Sequence, residues 1–223
     1  MTLLVTGAGG VLGRRVVARL AEQGHRVVEA AEPGVTAIVD CAGDPEATER
    51  LLAGCERSVH IVYASKVGCD VIPRRDHEAA LAGEQAVERS GLGWTILRAT
   101  EFHQQVWEMV VAKSRRPLVV VPADTRFQVL DPGVVAERLV AAVGAGPQGR
   151  LPEVGGSFAY EARDLARSVL AAIGSRRRVV AVNYPGIVGA ALRAGANTTP
   201  NRATEGESWN DFVRRRIKVF PIE

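Results

Sequence analysis

Three groups of residues in this chain have the types and spacing that chemistry requires. Gly7, Gly10 and Gly13 recur every third position between a short apolar run and a helical pattern. That spacing lets the backbone turn tightly after a strand, approach a pyrophosphate, and pack a helix close against the strand. The first turn of the helix then offers free N–H groups to an anion, so Gly7, Gly10, Val11, Leu12, Gly13 and Arg14 are the candidate diphosphate contacts. His77 and His103 form the second group, with Asp76 and Glu101 close by in sequence. An imidazole titrates near neutrality and moves protons when a carboxylate orients it, which makes His103, His77, Asp76 and Glu101 the candidate acid–base set. The third group, further candidate cofactor-binding residues, stands at strand ends: Cys41 and Ala42 after one apolar run, and Ala64, Ser65 and Lys66 closing another. Plainer readings stand beside these. His77 is a solvated helix-start residue, His103 a satisfied core residue, and Lys66 a solvated loop lysine.

The elements that must position these residues follow from hydrophobic period. Apolar Val11, Leu12, Val16, Val17 and Leu20 fall at helical spacing after the strand Leu3 to Thr6. Strand patterns at 26–28, 36–41, 59–64 and 94–97 then alternate with helical patterns at 45–52 and 76–90. Such alternation predicts βαβ units, hence an α/β fold with a doubly wound parallel sheet of Rossmann type covered on both faces. Beyond Phe102 the pattern loosens. Helices are expected at 101–113, 134–143, 161–173, 187–193 and 209–216, with short strands at 117–121, 126–130 and 179–182. The expectation is one domain over 1–223, with a dinucleotide-type core to about 115 and a small C-terminal substrate-side lobe over about 116–223. Gly144-Ala145-Gly146-Pro147 reads as a turn.

Composition narrows the classes. Hydrophobic residues make up 47% and charged residues 24% of 223, which suits a soluble core, and no apolar run nears the ~20 residues of a membrane helix. The net charge of +3 is spread along the chain, and Arg176-Arg177-Arg178 and Arg214-Arg215-Arg216 lack recognition features around them, so no nucleic-acid partner is expected. Cys41, Cys55 and Cys69 form no CxxC and have no histidine pair nearby, so neither a disulfide framework nor a metal site is expected. The N-terminus enters the glycine motif directly, leaving no room for a secretory leader; a cytoplasmic protein without membrane contact is expected. A homo-oligomer stays open.

A family resemblance becomes specific at Ile61-Val62-Tyr63-Ala64-Ser65-Lys66-Val67-Gly68-Cys69-Asp70, then Glu84, Ser90-Gly91-Leu92, Trp94-Thr95-Ile96-Leu97-Arg98 and Phe102-His103. These stretches resemble the fifth strand, loop, helix and sixth strand of NmrA-like atypical short-chain dehydrogenases. Phe127 to Asp131, Ala136 to Leu139, Gly149-Arg150, Pro185-Gly186 and Trp209 continue the likeness. The resemblance implies NAD or NADP as cofactor, a pocket over the strand C-termini, and descent from NAD(P)H-dependent reduction of small organic molecules. Phe102 and Trp107 are the candidate apolar walls for such a substrate.

Three departures from that family pattern matter. Only seven residues, Glu29 to Val35, separate Val28 from Thr36; extended, they reach about 25 Å at most, and a helical crossover needs a dozen or more. The sheet should therefore lack one βα unit, its third strand. The position that selects ribose hydroxyl or 2′-phosphate falls near Ala31, between Glu29 and Glu32. Where the family often carries Tyr-x-x-x-Lys, this chain reads Asp76-His77-Glu78-Ala79-Ala80, and Tyr63 lies within a strand. Three functional readings result: an enzyme that keeps the fold but performs redox-neutral acid–base chemistry (isomerisation, dehydration or cyclisation) on an apolar metabolite, an NAD(P)H oxidoreductase that works without the Tyr–Lys pair, and a non-catalytic NAD(P) sensor.

Overall fold

The computed structural model describes residues 1–202, 204 and 206–219. In chain order the elements are β1 (Thr2–Thr6), α1 (Val11–Glu22), β2 (Arg26–Val28), β3 (Val35–Asp40), α2 (Pro45–Ala53), β4 (His60–Lys66), α3 (Arg75–Arg89), β5 (Gly93–Ala99) and α4 (His103–Lys113). They continue as β6 (Leu118–Pro122), β7 (Arg126–Gln128), α5 (Pro132–Ala145), β8 (Gly149–Arg150), β9 (Ala159–Glu161), α6 (Ala162–Ala172), β10 (Arg178–Val182), α7 (Gly186–Arg193), a 3-10 turn at Pro200–Arg202, and α8 (Trp209–Val219). The strands β8 and β9 and the 3-10 turn were not foreseen. Each is two or three residues long, too short for a period to declare itself.

Residues 1–99 and 132–154 form one compact unit, and residues 100–131 and 155–223 the other. The division therefore does not fall near residue 115, where the sequence placed it. Helix α5 packs on α1 and β8 pairs with β5, so a segment from the second half returns to the first unit's sheet.

The first unit is a six-stranded parallel sheet in the order β2-β1-β3-β4-β5-β8. Its central strands are continuous apolar runs, because helices cover both faces: Leu3, Leu4 and Val5 are buried, as are Ile61, Val62 and Tyr63. Helix α1 buries Leu12, Gly13, Val16 and Leu20 along one stripe. Helix α2 begins with Pro45 after Asp44, whose carboxylate accepts the Ala47 N–H at 3.1 Å, an N-cap followed by the residue best suited to the first helical position. Leu4, Ile38, Leu52, Ile61, Val87 and Ile96 lie in one core cluster beneath α2 and α3. Among the described residues the sheet lacks the third strand, as the short connection requires. Thr2 is in register with both Arg26 of β2 and Val35 of β3, so β2 is an edge and the chain passes straight across β1. At three residues β2 is about 10 Å long, which is why so short a return suffices.

The second unit contains a parallel pair, β6 with β10, and an antiparallel pair, β7 with β9. Its core gathers Val106, Val119, Leu165, Val169, Trp209 and Phe212 from α4, β6, α6 and α8, with Val129 just after β7.

Candidate active site

Strands β2 and β3 flank β1 on opposite sides, so the crevice at the C-terminal ends of β1 and β3 is the topological switch point, where open α/β sheets bind ligands. The glycine turn closes there. Gly7 adopts φ +63° and its carbonyl accepts the Gly10 N–H at 2.9 Å. A Cβ at Gly13 would stand 2.1 Å from the Gly7 oxygen, whereas one at Gly9 would meet nothing within 4 Å. The motif thus combines a close helix–turn contact with an open approach. Gly9 and Gly10 are exposed, and the first turn of α1 carries no acid, so its N–H groups are available to a diphosphate. Leu12 is buried, Val11 half-buried and Arg14 exposed on the same turn.

Asp40, buried at the end of β3, anchors this crevice. Its carboxylate accepts from Thr6 Oγ1 at 2.6 Å, from Thr48 Oγ1 at 2.5 Å and from the Ala42 N–H at 3.0 Å. One carboxylate thereby ties the end of β1, the end of β3 and the start of α2. Beside it, burial and the Asp40 charge push the Cys41 thiol far up; it remains a thiol at neutral pH and is no nucleophile. Sequence reasoning missed Asp40, although an acid closing one strand opposite Thr6 closing another was the available signal.

The adenosine end is different. Glu29 and Ala31 are exposed, and Glu32 forms an ion pair with Arg26. Among the described residues no strand lies beyond β2. These residues fit the diphosphate of a dinucleotide and leave its adenosine without a side wall.

At the end of β4, Lys66 and the start of α3 make a second charged group. Lys66 Nζ donates to Asp76 Oδ2 at 3.0 Å, Arg74 Nε lies 3.3 Å from Oδ1, and His77 Nδ1 lies 3.2 Å from Oδ1 without hydrogen-bond geometry. Burial alone would raise the Asp76 pKa; the Lys66 hydrogen bond and charge, with His77 and Arg74, outweigh it and hold the carboxyl well below the usual range. Asp76 is therefore an anion and no proton donor at neutral pH. His77 is buried at 3% exposure, so it is no solvated helix-start residue. Arg74, Arg75, Asp76 and Ala79 line an open depression of roughly 640 Å³.

Behind this surface lies a buried ion network. Glu84, with no exposed side-chain surface, accepts from Arg98 Nε at 2.7 Å and Nη2 at 2.8 Å, from Arg150 Nη1 at 2.6 Å and from Ser65 Oγ at 2.5 Å. Arg98 also donates to Asp70 Oδ2 at 3.0 Å. Burial would raise Glu84, but the hydrogen bonds from Arg98, Ser65 and Arg150 prevail and bring it down to about 2. Ser65 is thus held from behind by Glu84, and the loop from Ser65 to Asp70 is pinned at both ends. Cys69 Sγ also faces Glu84 at 3.4 Å, and burial with the Glu84 charge pushes that thiol up to about 11. Tyr63 is wholly buried. A Cβ at Gly83 of α3 would meet its hydroxyl at 2.0 Å, so this phenol packs under the helix, and burial raises its pKa.

The remaining candidates lie in the second unit. His103 is buried at 2% exposure, its ring 5.2 Å from Phe212 and 5.9 Å from Trp209. Burial lowers its pKa against the opposing pull of Asp131, Glu207 and the Val129 carbonyl. Trp107 meets Phe212 at 6.0 Å, and with Val111, Ala112, Glu108, Arg115 and Arg216 it lines a depression of roughly 380 Å³. Phe102 and Glu101 are half-buried ahead of α4, where the Phe102 N–H donates to Gln105 Oε1 at 2.9 Å and the Glu101 carbonyl accepts the Leu130 N–H at 2.9 Å. No cluster of three metal-type ligands occurs among the described residues, and none of their helices is long and apolar enough to cross a membrane.

No protein-family model matches the chain. A (4-alkanoyl-5-oxo-2,5-dihydrofuran-3-yl)methyl phosphate reductase from Streptomyces griseus is 31% identical over 204 residues, spanning 73% of this chain and 70% of the relative. Among solved structures, an NADPH-dependent quinone oxidoreductase from Escherichia coli, in complex with NADPH, superposes with a TM-score of 0.73 at 16% identity, over 96% of this chain and 99% of that one. A short-chain dehydrogenase/reductase superfamily protein from Agrobacterium tumefaciens with bound NAD gives 0.64 at 16% identity, over 98% of each chain.

Proposed function

Because the chain belongs to the atypical, NmrA-like short-chain dehydrogenase/reductase family of enzymes with NAD(P)-binding Rossmann folds, we propose that it is a nicotinamide-dependent reductase of an electron-poor conjugated double bond, such as that of an acyl-substituted unsaturated lactone. The intact glycine turn at the switch point carries this reading, since Gly13 touches the Gly7 carbonyl while the approach over Gly9 stays open. The N–H groups of the first turn of α1 would hold the diphosphate there, on a turn that Asp40 fixes through Thr6. The coenzyme, when bound, supplies the hydride.

The missing Tyr–Lys pair is consistent with this substrate class. Reduction of an isolated carbonyl builds charge on one oxygen and calls for a nearby acid. Addition to a double bond conjugated with two carbonyls spreads the charge over both oxygens, and water can protonate the product. Lys66, held at 3.0 Å by Asp76, provides a fixed positive charge at the end of β4 to stabilise that anion.

A second reading, redox-neutral acid–base chemistry on an apolar metabolite, draws support from the buried His77 beside Asp76 and from the absent adenosine wall. One experiment separates the two. The protein is titrated with NADPH and with NADH while thermal stability is followed; coenzyme at 100 times its dissociation constant stabilises by about 2.7 kcal/mol. Turnover is then measured with an acyl-substituted unsaturated lactone. Binding with consumption of reduced coenzyme is expected. Binding without turnover supports a sensor, and a folded protein indifferent to both coenzymes defeats the reductase reading in favour of the redox-neutral one.

A further inference from the structure

The depression at the start of α3 is not needed to hold a dinucleotide. Arg74 and Arg75 stand on its walls beside Asp76 and Ala79. Arg74 and Lys66 are both anchored on the Asp76 carboxylate, at 3.3 Å and 3.0 Å, so their positions are set before any ligand arrives. Arg75 is exposed and, among the described residues, has no ion pair. Arg74 and Arg75 line the depression with Asp76, Lys66 shares the Asp76 carboxylate, and Glu78 is the other acid in this first turn of the helix, so three positive charges face two negative ones and leave an excess of one. A phosphate monoester is a dianion near neutrality, and guanidinium forks match phosphate oxygens in pairs.

We propose that this depression is a phosphate-recognition site, and that the substrate of the enzyme is a phosphate monoester whose dianionic group is taken by Arg75 and Arg74. The proposal rests on the reductase reading and deepens it, by placing an anionic handle on the substrate beside the strand ends where reduction occurs. The compound for which the Streptomyces griseus relative is named, a (dihydrofuranyl)methyl phosphate, has such a handle. Asp76 serves as a positioning residue here, since it touches the cations and not the phosphate.

The test compares a hydroxymethyl acyl lactone with its phosphate monoester, both in direct binding by calorimetry and in turnover with NADPH or NADH. Binding of the phosphate ester is expected to exceed that of the alcohol by 10- to 100-fold, as charge-assisted hydrogen bonds imply, and to weaken steeply with salt. Arg75→Ala should erase most of that preference while leaving the alcohol's affinity unchanged. Arg89→Ala, at the exposed far end of α3, controls for net charge and should change neither. Asp76→Asn should weaken the phosphate ester and restore nothing to Arg75→Ala. Equal affinity of ester and alcohol for the wild-type protein, or an unchanged preference in Arg75→Ala, overturns the phosphate site even if both compounds are reduced. An Arg75-dependent preference without consumption of either coenzyme upholds the site and defeats only the reductase reading.

Discussion

Glu84→Gln is the substitution whose cost the structure defines best. Glu84 has no exposed side-chain surface, and its main partner Arg98 is 15% exposed. Removing one member of a buried ion pair costs about 3–5 kcal/mol, because the other is left charged and poorly solvated. The amide keeps the shape and still accepts one hydrogen bond, Arg98 retains Asp70, and Arg150 retains Glu88 at 2.7 Å. The lower end therefore applies, about 3 kcal/mol, or a fall in Tm of about 6–12 °C for a chain of this size. Titration leads to the same size. Glu84 sits at about 2 when folded, against an ordinary value of 4.5. A depressed folded value means that this stability is complete above the ordinary value and is lost as the pH falls toward 2, and the gap corresponds to about 3 kcal/mol. The assay is urea denaturation followed by the fluorescence of the three tryptophans, Trp94, Trp107 and Trp209, repeated from pH 7 down to pH 3. Wild type should lose stability more steeply than Glu84→Gln over the acid range, so that the two curves converge. A cost below about 1 kcal/mol, or an unchanged acid slope in the variant, would refute the view that Glu84 is held as an anion.

Three further outcomes are expected. Gly13→Ala forces a Cβ to within 2.1 Å of the Gly7 oxygen; it should cost about 1–3 kcal/mol and abolish coenzyme-dependent thermal stabilisation, and normal binding by this variant would remove the turn from the coenzyme site. His103→Phe should leave turnover within about threefold while flattening the stability profile below neutrality. Burial lowers the folded pKa of His103, so its stability contribution is present above the ordinary histidine value and fades as the pH drops; a loss of turnover of about 100-fold instead would return His103 to catalysis. Asp40→Asn removes the charge that gathers donors from Thr6, Thr48 and Ala42; calorimetry should show weaker coenzyme binding, by about tenfold, since charge-assisted bonds are worth about 1.5–3 kcal/mol.

The parts of this protein that are periodic or local in sequence were legible. The βα alternation, the glycine turn and the absent third strand all follow from spacing within a few dozen residues, and the seven residues from Glu29 to Val35 sufficed for the last. Contacts that join distant segments were not legible. Glu84 meets Arg150 across 66 positions and Thr6 meets Asp40 across 34, and no single-sequence pattern announces such pairings. The return of α5 and β8 to the first unit was hidden for the same reason. Arg74 and Arg75 drew no attention because nothing local marks an arginine pair as lining a depression; the anchoring role of Asp76 appears only once Lys66 is brought beside it.

The three-residue edge strand has a kinetic corollary. A coenzyme gripped through its phosphates and left ungripped at its adenosine has fewer contacts to break on leaving, and differences in affinity among related complexes reside mainly in the departure rate. Under the reductase reading, oxidised coenzyme should exchange faster than turnover, so that the cell's own balance of reduced to oxidised nicotinamide sets the pace of the enzyme. Stopped-flow displacement slower than steady-state turnover would show that the trimmed edge brings no such freedom.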